Sequence, residues 1–322
     1  MQVYKNVPLS TILWYEIGGV AETVIDISST QDLHEALQYI QDHNITNVFS
    51  IGFGSNILFP DTIFNGVILR FQIQEDGEGV RRISEDTVEA FAGEMFDSVI
   101  QFGFDNSLIG LEWAGGLPGT VGAAVRGNVG AFGGEVQDVF FKAHCIKILD
   151  HGGYEELILT RDEMEFAYRT SKVKKEKLIV VSSQFKLKIA TPEELLNARE
   201  AYYQNIIYRQ ERHPLDYPNC GSVFKNISNT VEVEKVKKTW PNTKELIETK
   251  WHGKVSMGYL IERLGLKGFQ VGKAQVSEKH QNFIVNLGGA KSQDVRKIIT
   301  TIENAVQKEF GFTPEVEIEI IE

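Results

Sequence analysis

Two clusters of glycine constrain this chain more than any other feature. One is Ile51-Gly-Phe-Gly-Ser-Asn56, and the other is the run from Gly115 to Gly134. Glycines this dense are not punctuating ordinary turns; they read as loops that press backbone against a ligand. The first loop, with Gly52, Gly54, Ser55 and Asn56, follows a strand, where exposed N–H groups can cradle a pyrophosphate. It does not continue as G-x-G-x-x-G into a helix, because the apolar Ile57-Leu58-Phe59-Pro60 comes next, so the Rossmann fingerprint is not met and a plain tight turn stays open. The second loop carries Gly115, Gly116, Pro118, Gly119, Thr120, Gly122 and Ala123, and is extended by Arg126, Asn128 and Gly130. That composition suits a backbone wrapped round a flat, anionic cofactor, and the two loops together point to a bound dinucleotide.

The elements around the loops suggest a division into parts. Thr23 to Ile27, a helix opened by Ser29-x-x-Asp32, and Asn47 to Ile51 make a βαβ unit, so residues 1–70 form a small α/β subdomain. Residues 71–190 read as a second subdomain, mainly strands, with Leu178 to Val181 and Gln184 to Leu187 the clearest. A connecting helix follows over 191–213, with Thr191 as N-cap, Pro192 at N1 and Glu194 completing a capping box. Residues 214–322 are the C-terminal part. It holds a helix from Ser256 to Leu264, strands near Ala274 to Val276 and Asn282 to Asn286, a helix capped by Ser292, and a strand from Glu315 to Ile321. With 322 residues the chain is long enough for two domains.

Composition excludes several classes. Charges of 44 acidic against 33 basic residues leave a net −11, which repels a phosphate backbone, so nucleic acid is not expected as a ligand. No stretch approaches the apolar length of a membrane span, and Met1 to Gly19 lacks the core of a signal peptide. Cys145 and Cys220 are too few for a disulfide framework or a four-ligand zinc site, and no histidine, His151 included, shows ligand spacing. A cytoplasmic protein without a metal is expected.

Further motifs follow the loops in order. They are Tyr168-Arg169-Thr-Ser171, Pro218-Asn-Cys-Gly221-Ser222-Val-Phe224-Lys225-Asn226, Leu264-Gly-Leu-Lys267-Gly268, Gln275-Val-Ser277-Glu278-Lys-His280-Gln-Asn282, and Pro314-Glu315-Val316. Together with the loops they resemble the ordered signature of the UDP-N-acetylenolpyruvoylglucosamine reductase family, from about residue 8 to 322. The resemblance implies an α+β chain: a p-cresol methylhydroxylase-type FAD-binding fold of two subdomains, plus a C-terminal α/β domain for the substrate. It also implies noncovalent FAD, NADPH as electron donor, and reduction of the enolpyruvyl ether of a UDP-sugar to UDP-N-acetylmuramate for peptidoglycan. A monomer is expected, as is the subclass lacking an additional tyrosine loop.

The resemblance assigns roles residue by residue. Arg169 and Glu315 stabilise the enolate and Ser222 donates the proton, while Asn226, Lys225, Gln281 and Arg212 meet the substrate. The glycine-loop residues named above meet FAD. Read without the resemblance, Arg169 is a surface arginine beside Asp162 or Glu165, and Ser222 is a turn residue. Glu315 likewise shares a wet strand face with Glu317 and Glu319. Phe53, Arg126 and Val129 depart from the family's glycine loops, which leaves Arg126 facing a phosphate or the incoming nucleotide.

Overall fold

The computed structural model describes residues 1–74, 77, 79–150 and 152–322, so His151 lies outside the described residues. The chain divides into two compact units. The first is Met1–Val7, Ala21–Phe53 and Phe64–Glu211, and the second is Pro8–Val20, Gly54–Ile63 and Arg212–Glu322. Each has its own apolar core, one built around Phe96, Val121 and Phe185, the other around Tyr15, Phe224 and Ile298. Two short N-terminal segments therefore belong with the C-terminal residues, which the order of motifs along the chain does not reveal.

In the first unit the Ser29 hydroxyl accepts from the Asp32 N–H at 3.0 Å and opens the helix Thr30–Asp42. Leu33, Ala36, Leu37 and Ile40 are buried, so the helical stripe in the sequence is the face that packs. The helix returns the chain to Val48–Ile51, which pairs in parallel with Ile63–Phe71. The sheet runs Gln2–Pro8, Val20–Ile27, Ile63–Phe71, Val48–Ile51. Its edge strand Gln2–Pro8 is almost wholly exposed and so carries no alternation that would mark it in the sequence.

A second sheet runs Tyr154–Thr160, Phe140–Ile148, Ile179–Lys186, Thr87–Phe91, Val80–Arg82, with antiparallel neighbours throughout. Ile179–Lys186 is one strand where the sequence suggests two. The stretch expected to be mainly strands also contains the helix Phe96–Asp105, whose buried Phe96, Val99, Ile100 and Phe104 give it a helical stripe. The long helix Pro192–Arg212 opens with the expected box: Thr191 Oγ1 accepts from Glu194 N at 3.3 Å, and the Glu194 carboxylate accepts from Thr191 N at 3.0 Å. Up to Glu211 it groups with the first unit, burying Ala198, Tyr202 and Arg209.

In the second unit an antiparallel sheet, Gln270–Val271, Ala274–Val276, Ile284–Asn286, packs with the helices Met257–Arg263 and Ser292–Phe310. Two helices not expected from the sequence, Thr230–Thr239 and Lys244–Thr249, lie between residues 229 and 250. The expected strand from Glu315 to Ile321 is divided between two partners. Val316 bridges to Phe224, whereas Glu319–Ile320 pairs in parallel with Ile57–Leu58. The wet acidic face dissolves accordingly: Glu317 and Glu319 are half-buried and only Glu315 is exposed.

Ser292 does not cap the last helix. Its own hydroxyl is buried, and the helix start is held from 231 residues away by the Asp61 carboxylate, which accepts from Ser292 N at 2.8 Å and Gln293 N at 3.1 Å. A carboxylate at this end also opposes the positive end of the helix dipole. Asp61→Ala therefore lowers the unfolding free energy by about 1 kcal/mol, the usual worth of such a cap. Urea titration of the two proteins side by side checks this, and an unchanged midpoint would show that the contact does no capping.

Candidate active site

The first glycine loop presents an open set of donors. Among the described residues, the N–H groups of Phe53, Gly54, Ser55 and Asn56 donate to no backbone or side-chain acceptor. Gly54 is left-handed, with φ +64°, which turns successive amides of such a loop to one side. Four uncommitted amides in sequence fit the oxygens of a diphosphate.

The second loop is spent differently. Leu117 N donates to Ala114 O, Val121 N to Glu94 O and Gly122 N to Ala92 O, each at 2.9 Å. Its glycines serve close approach within the protein. A Cβ on Gly115 would lie 2.4 Å from Tyr202 O of the long helix, and one on Gly52 would lie 2.2 Å from Thr120 Oγ1, so the two loops touch there. Several of these positions are glycine because helix or loop comes too near for a side chain. Gly116, Pro118 and Ala123 remain exposed, and the Gly119 carbonyl accepts from Phe96 N at 3.0 Å. Arg126 ends the helix Val121–Arg126, its guanidinium 6.0 Å from the Phe49 ring centre.

Asn128 is expected at the cofactor, yet it is fully buried. Its Nδ2 donates to Glu135 Oε2 at 3.0 Å and Ala167 O at 3.1 Å, and its Oδ1 accepts from Gln137 N at 3.0 Å. Every hydrogen of its amide is used inside the protein, so its side chain has no donor left for a cofactor.

Arg169 stands in a tight turn closed by Ala167 N to Thr170 O and Thr170 N to Ala167 O, both 3.1 Å. Its φ is +58°, a conformation uncommon for a side-chain-bearing residue and worth a functional hypothesis. The guanidinium carbon lies 4.8 Å from the Tyr168 ring centre, and Nη2 donates to Gly130 O. Glu165, one of the two partners in the surface-arginine reading beside Asp162, pairs with Lys175 at 3.0 Å.

In the second unit Ser222 begins a segment held on both sides. Val223 N donates to Asn282 O at 2.8 Å, and the Asn282 side chain both accepts from Phe224 N (3.1 Å) and donates to Phe224 O (2.8 Å). On the other side Glu317 N donates to Val223 O at 2.7 Å and Lys225 N to Glu315 O at 2.9 Å. Ser222, Lys225 and Glu315 are thereby brought onto neighbouring stretches, and the Lys225 ammonium bonds the Glu315 carboxylate. Asn282 is a site-building residue to which sequence reasoning gave no role. Its signal was there: it lies two residues after His280, in the same motif as Gln281.

The remaining expected substrate residues have local partners. Asn226 Oδ1 accepts from Met257 N at 3.1 Å, and Gln281 Nε2 donates to Glu278 O at 3.0 Å. Arg212 is exposed at the end of its helix. Three residues earlier, Arg209 is buried, donates from Nε to Gly115 O at 2.9 Å, and has its pKa lowered to about 10 by burial. Burial also pushes the thiols of Cys145 and Cys220 up to about 12, as packing residues require. A polar groove of about 520 Å³ on the five-stranded sheet is lined by Arg81, Glu89, Lys142, His144 and Glu156, and by none of the expected site residues.

Two family profiles match the chain: an FAD binding domain over residues 21–149, and the C-terminal domain of UDP-N-acetylenolpyruvoylglucosamine reductase over residues 213–321. The UDP-N-acetylenolpyruvoylglucosamine reductase of Caldicellulosiruptor bescii is 36% identical over 321 residues, 100% of this chain and 91% of that protein. That of Pseudothermotoga lettingae is 34% identical over 319 residues, 99% of this chain and 98% of the relative. The crystal structure of UDP-N-acetylenolpyruvylglucosamine reductase from Thermus caldophilus superposes with a TM-score of 0.72 at 26% identity, covering 100% of both chains.

Proposed function

The chain belongs to the UDP-N-acetylenolpyruvoylglucosamine reductase family, and from that premise we infer that it reduces UDP-N-acetylglucosamine enolpyruvate to UDP-N-acetylmuramate for peptidoglycan, using NADPH and bound FAD. Its fold is α+β, a p-cresol methylhydroxylase-type FAD-binding fold with a C-terminal α/β domain. The observation that carries the reading is identity of 36% along the whole chain to a reductase of this name. In this reading the enzyme is a cytoplasmic monomer whose partner is the UDP-sugar, with neither nucleic acid nor membrane involved. The N-terminal subdomains hold the cofactor and residues 214–322 hold the substrate.

When bound, FAD would supply hydride chemistry between NADPH and the methylene carbon of the enolpyruvyl group. The amides of Phe53, Gly54, Ser55 and Asn56 are the donors that would hold its diphosphate, and the exposed Gly116, Pro118 and Ala123 line the second contact. Charge then gathers towards the substrate carboxylate as an enolate. Arg169 meets that charge with a planar fork suited to a carboxylate, supported by a turn that fixes its backbone. Ser222 Oγ donates a proton to the neighbouring carbon, supported by the double clamp on Val223 and Phe224.

Glu315 acts together with Lys225. An ionised carboxylate alone would repel an enolate, whereas one bonded to an ammonium forms a neutral couple that presents a cation to developing charge. Glu315 thus acts by holding the Lys225 ammonium in this reading.

The test is spectroscopic. Purified protein shows flavin bands that bleach with NADPH in the absence of oxygen and return on addition of UDP-N-acetylglucosamine enolpyruvate. Bands that return only with air would point to an FAD oxidase on the same fold. Protein that neither contains nor takes up FAD would sink the assignment.

A further inference from the structure

We infer that Asn128 is a positioning residue for Arg169, a role that rests on the enolate-stabilising reading of that arginine. The turn carrying Arg169 is tethered by alternate residues of one segment. Arg126 O accepts from Ser171 Oγ at 2.7 Å, Asn128 Nδ2 donates to Ala167 O at 3.1 Å, and Gly130 O accepts from Arg169 Nη2. One tether holds each end of the turn and the third holds the tip of the functional side chain.

The turn needs such support. Arginine at φ +58° is in a conformation that persists only where its surroundings over-determine it. Ser171 is fully buried and also accepts from Lys174 N at 3.3 Å, so the far end is anchored in a helix start. At the near end Ala167 is exposed, and Asn128 is the buried group that ties it down. Asn128 is itself left-handed, at φ +42°, a position asparagine tolerates better than most residues. Its remaining bonds, to Glu135 and Gln137, fix it to the stretch of chain that follows. Of the three tethers it alone originates in a side chain of the 126–130 segment, whereas Arg126 and Gly130 act through carbonyls. It is therefore the tether that substitution can remove without altering Arg169.

The experiment measures both half-reactions of Asn128→Gly, which keeps the left-handed backbone and deletes the amide. FAD content and flavin reduction by NADPH stay near wild type. Reoxidation by UDP-N-acetylglucosamine enolpyruvate slows about 100-fold, the scale of a 1 Å misplacement of a reacting group. In an Arg169→Met background the same substitution causes no further loss, because a residue acting only through Arg169 has nothing left to position. Additive losses in the double variant, or equal damage to both half-reactions, would overturn the inference. Loss of FAD would return Asn128 to the cofactor and overturn it too.

If Asn128→Gly does not fold, Asn128→Asp keeps the volume and removes the donor to Ala167 O; wild-type reoxidation by that variant would be equally fatal. Arg169→Met on its own separates the two levels. Unimpaired reoxidation there means that the reading of Arg169 has failed, whatever Asn128 does.

Discussion

Ser222→Ala leaves flavin reduction by NADPH intact and slows reoxidation by the enolpyruvyl substrate by about 10³-fold, within the usual worth of a positioned general acid. The two halves separate because only the second consumes a proton at carbon. The substitution is clean on structural grounds. The segment after Ser222 is held by backbone bonds to Asn282 and Glu317 and by the Asn282 side chain, none of which uses the serine hydroxyl. Removing one oxygen therefore takes away the donor without releasing the chain. A stopped-flow comparison of the two half-reactions reads the result directly, and a fall shared equally between them would mean that Ser222 has a general structural or cofactor role.

Glu315→Gln is expected to lower the same half-reaction by about 100-fold, because the Lys225 ammonium loses the carboxylate that holds it in place against the developing oxyanion. Glutamine keeps the shape but not the charge, so the couple with Lys225 is broken and the ammonium is left without its partner. Glu317→Gln is the control. Its backbone N–H bonds Val223 O whatever the side chain, so the hold on the segment after Ser222 is kept and reoxidation is expected to stay close to wild type. The three glutamates look alike in the sequence, and the structure separates them by exposure. The opposite outcome, a silent Glu315→Gln beside a damaging Glu317→Gln, would show that the functional carboxylate is Glu317.

Elements whose signals are local are legible in the sequence itself. The Thr191 and Glu194 box, the stripe Leu33, Ala36, Leu37 and Ile40, and the apolar face of Ser292–Phe310 all depend on spacing within a few residues. Gln2–Pro8 is invisible there because an exposed edge strand has no buried face to impose alternation. The single strand Ile179–Lys186 reads as two in the sequence, and the segment from Glu315 reads as one strand although its pairing is split between two partners.

Among the site residues the division has the same cause. Motifs in order along the chain are enough to show the resemblance to the family, and the cofactor and reaction are what that resemblance implies. They do not say which amides are open. Gly54 and Gly122 are equally glycine in sequence, yet Gly122 N is taken by Ala92 O while the amides from Phe53 to Asn56 have no acceptor among the described residues. Nor do they reveal that Asn128 spends its amide on Ala167 and Glu135, that Lys225 is bound to Glu315, or that Asp61 caps a helix starting at Ser292. Every buried donor and acceptor must find a partner. Which partner it finds is settled by segments far apart in the chain, and that allocation exists only once they have packed.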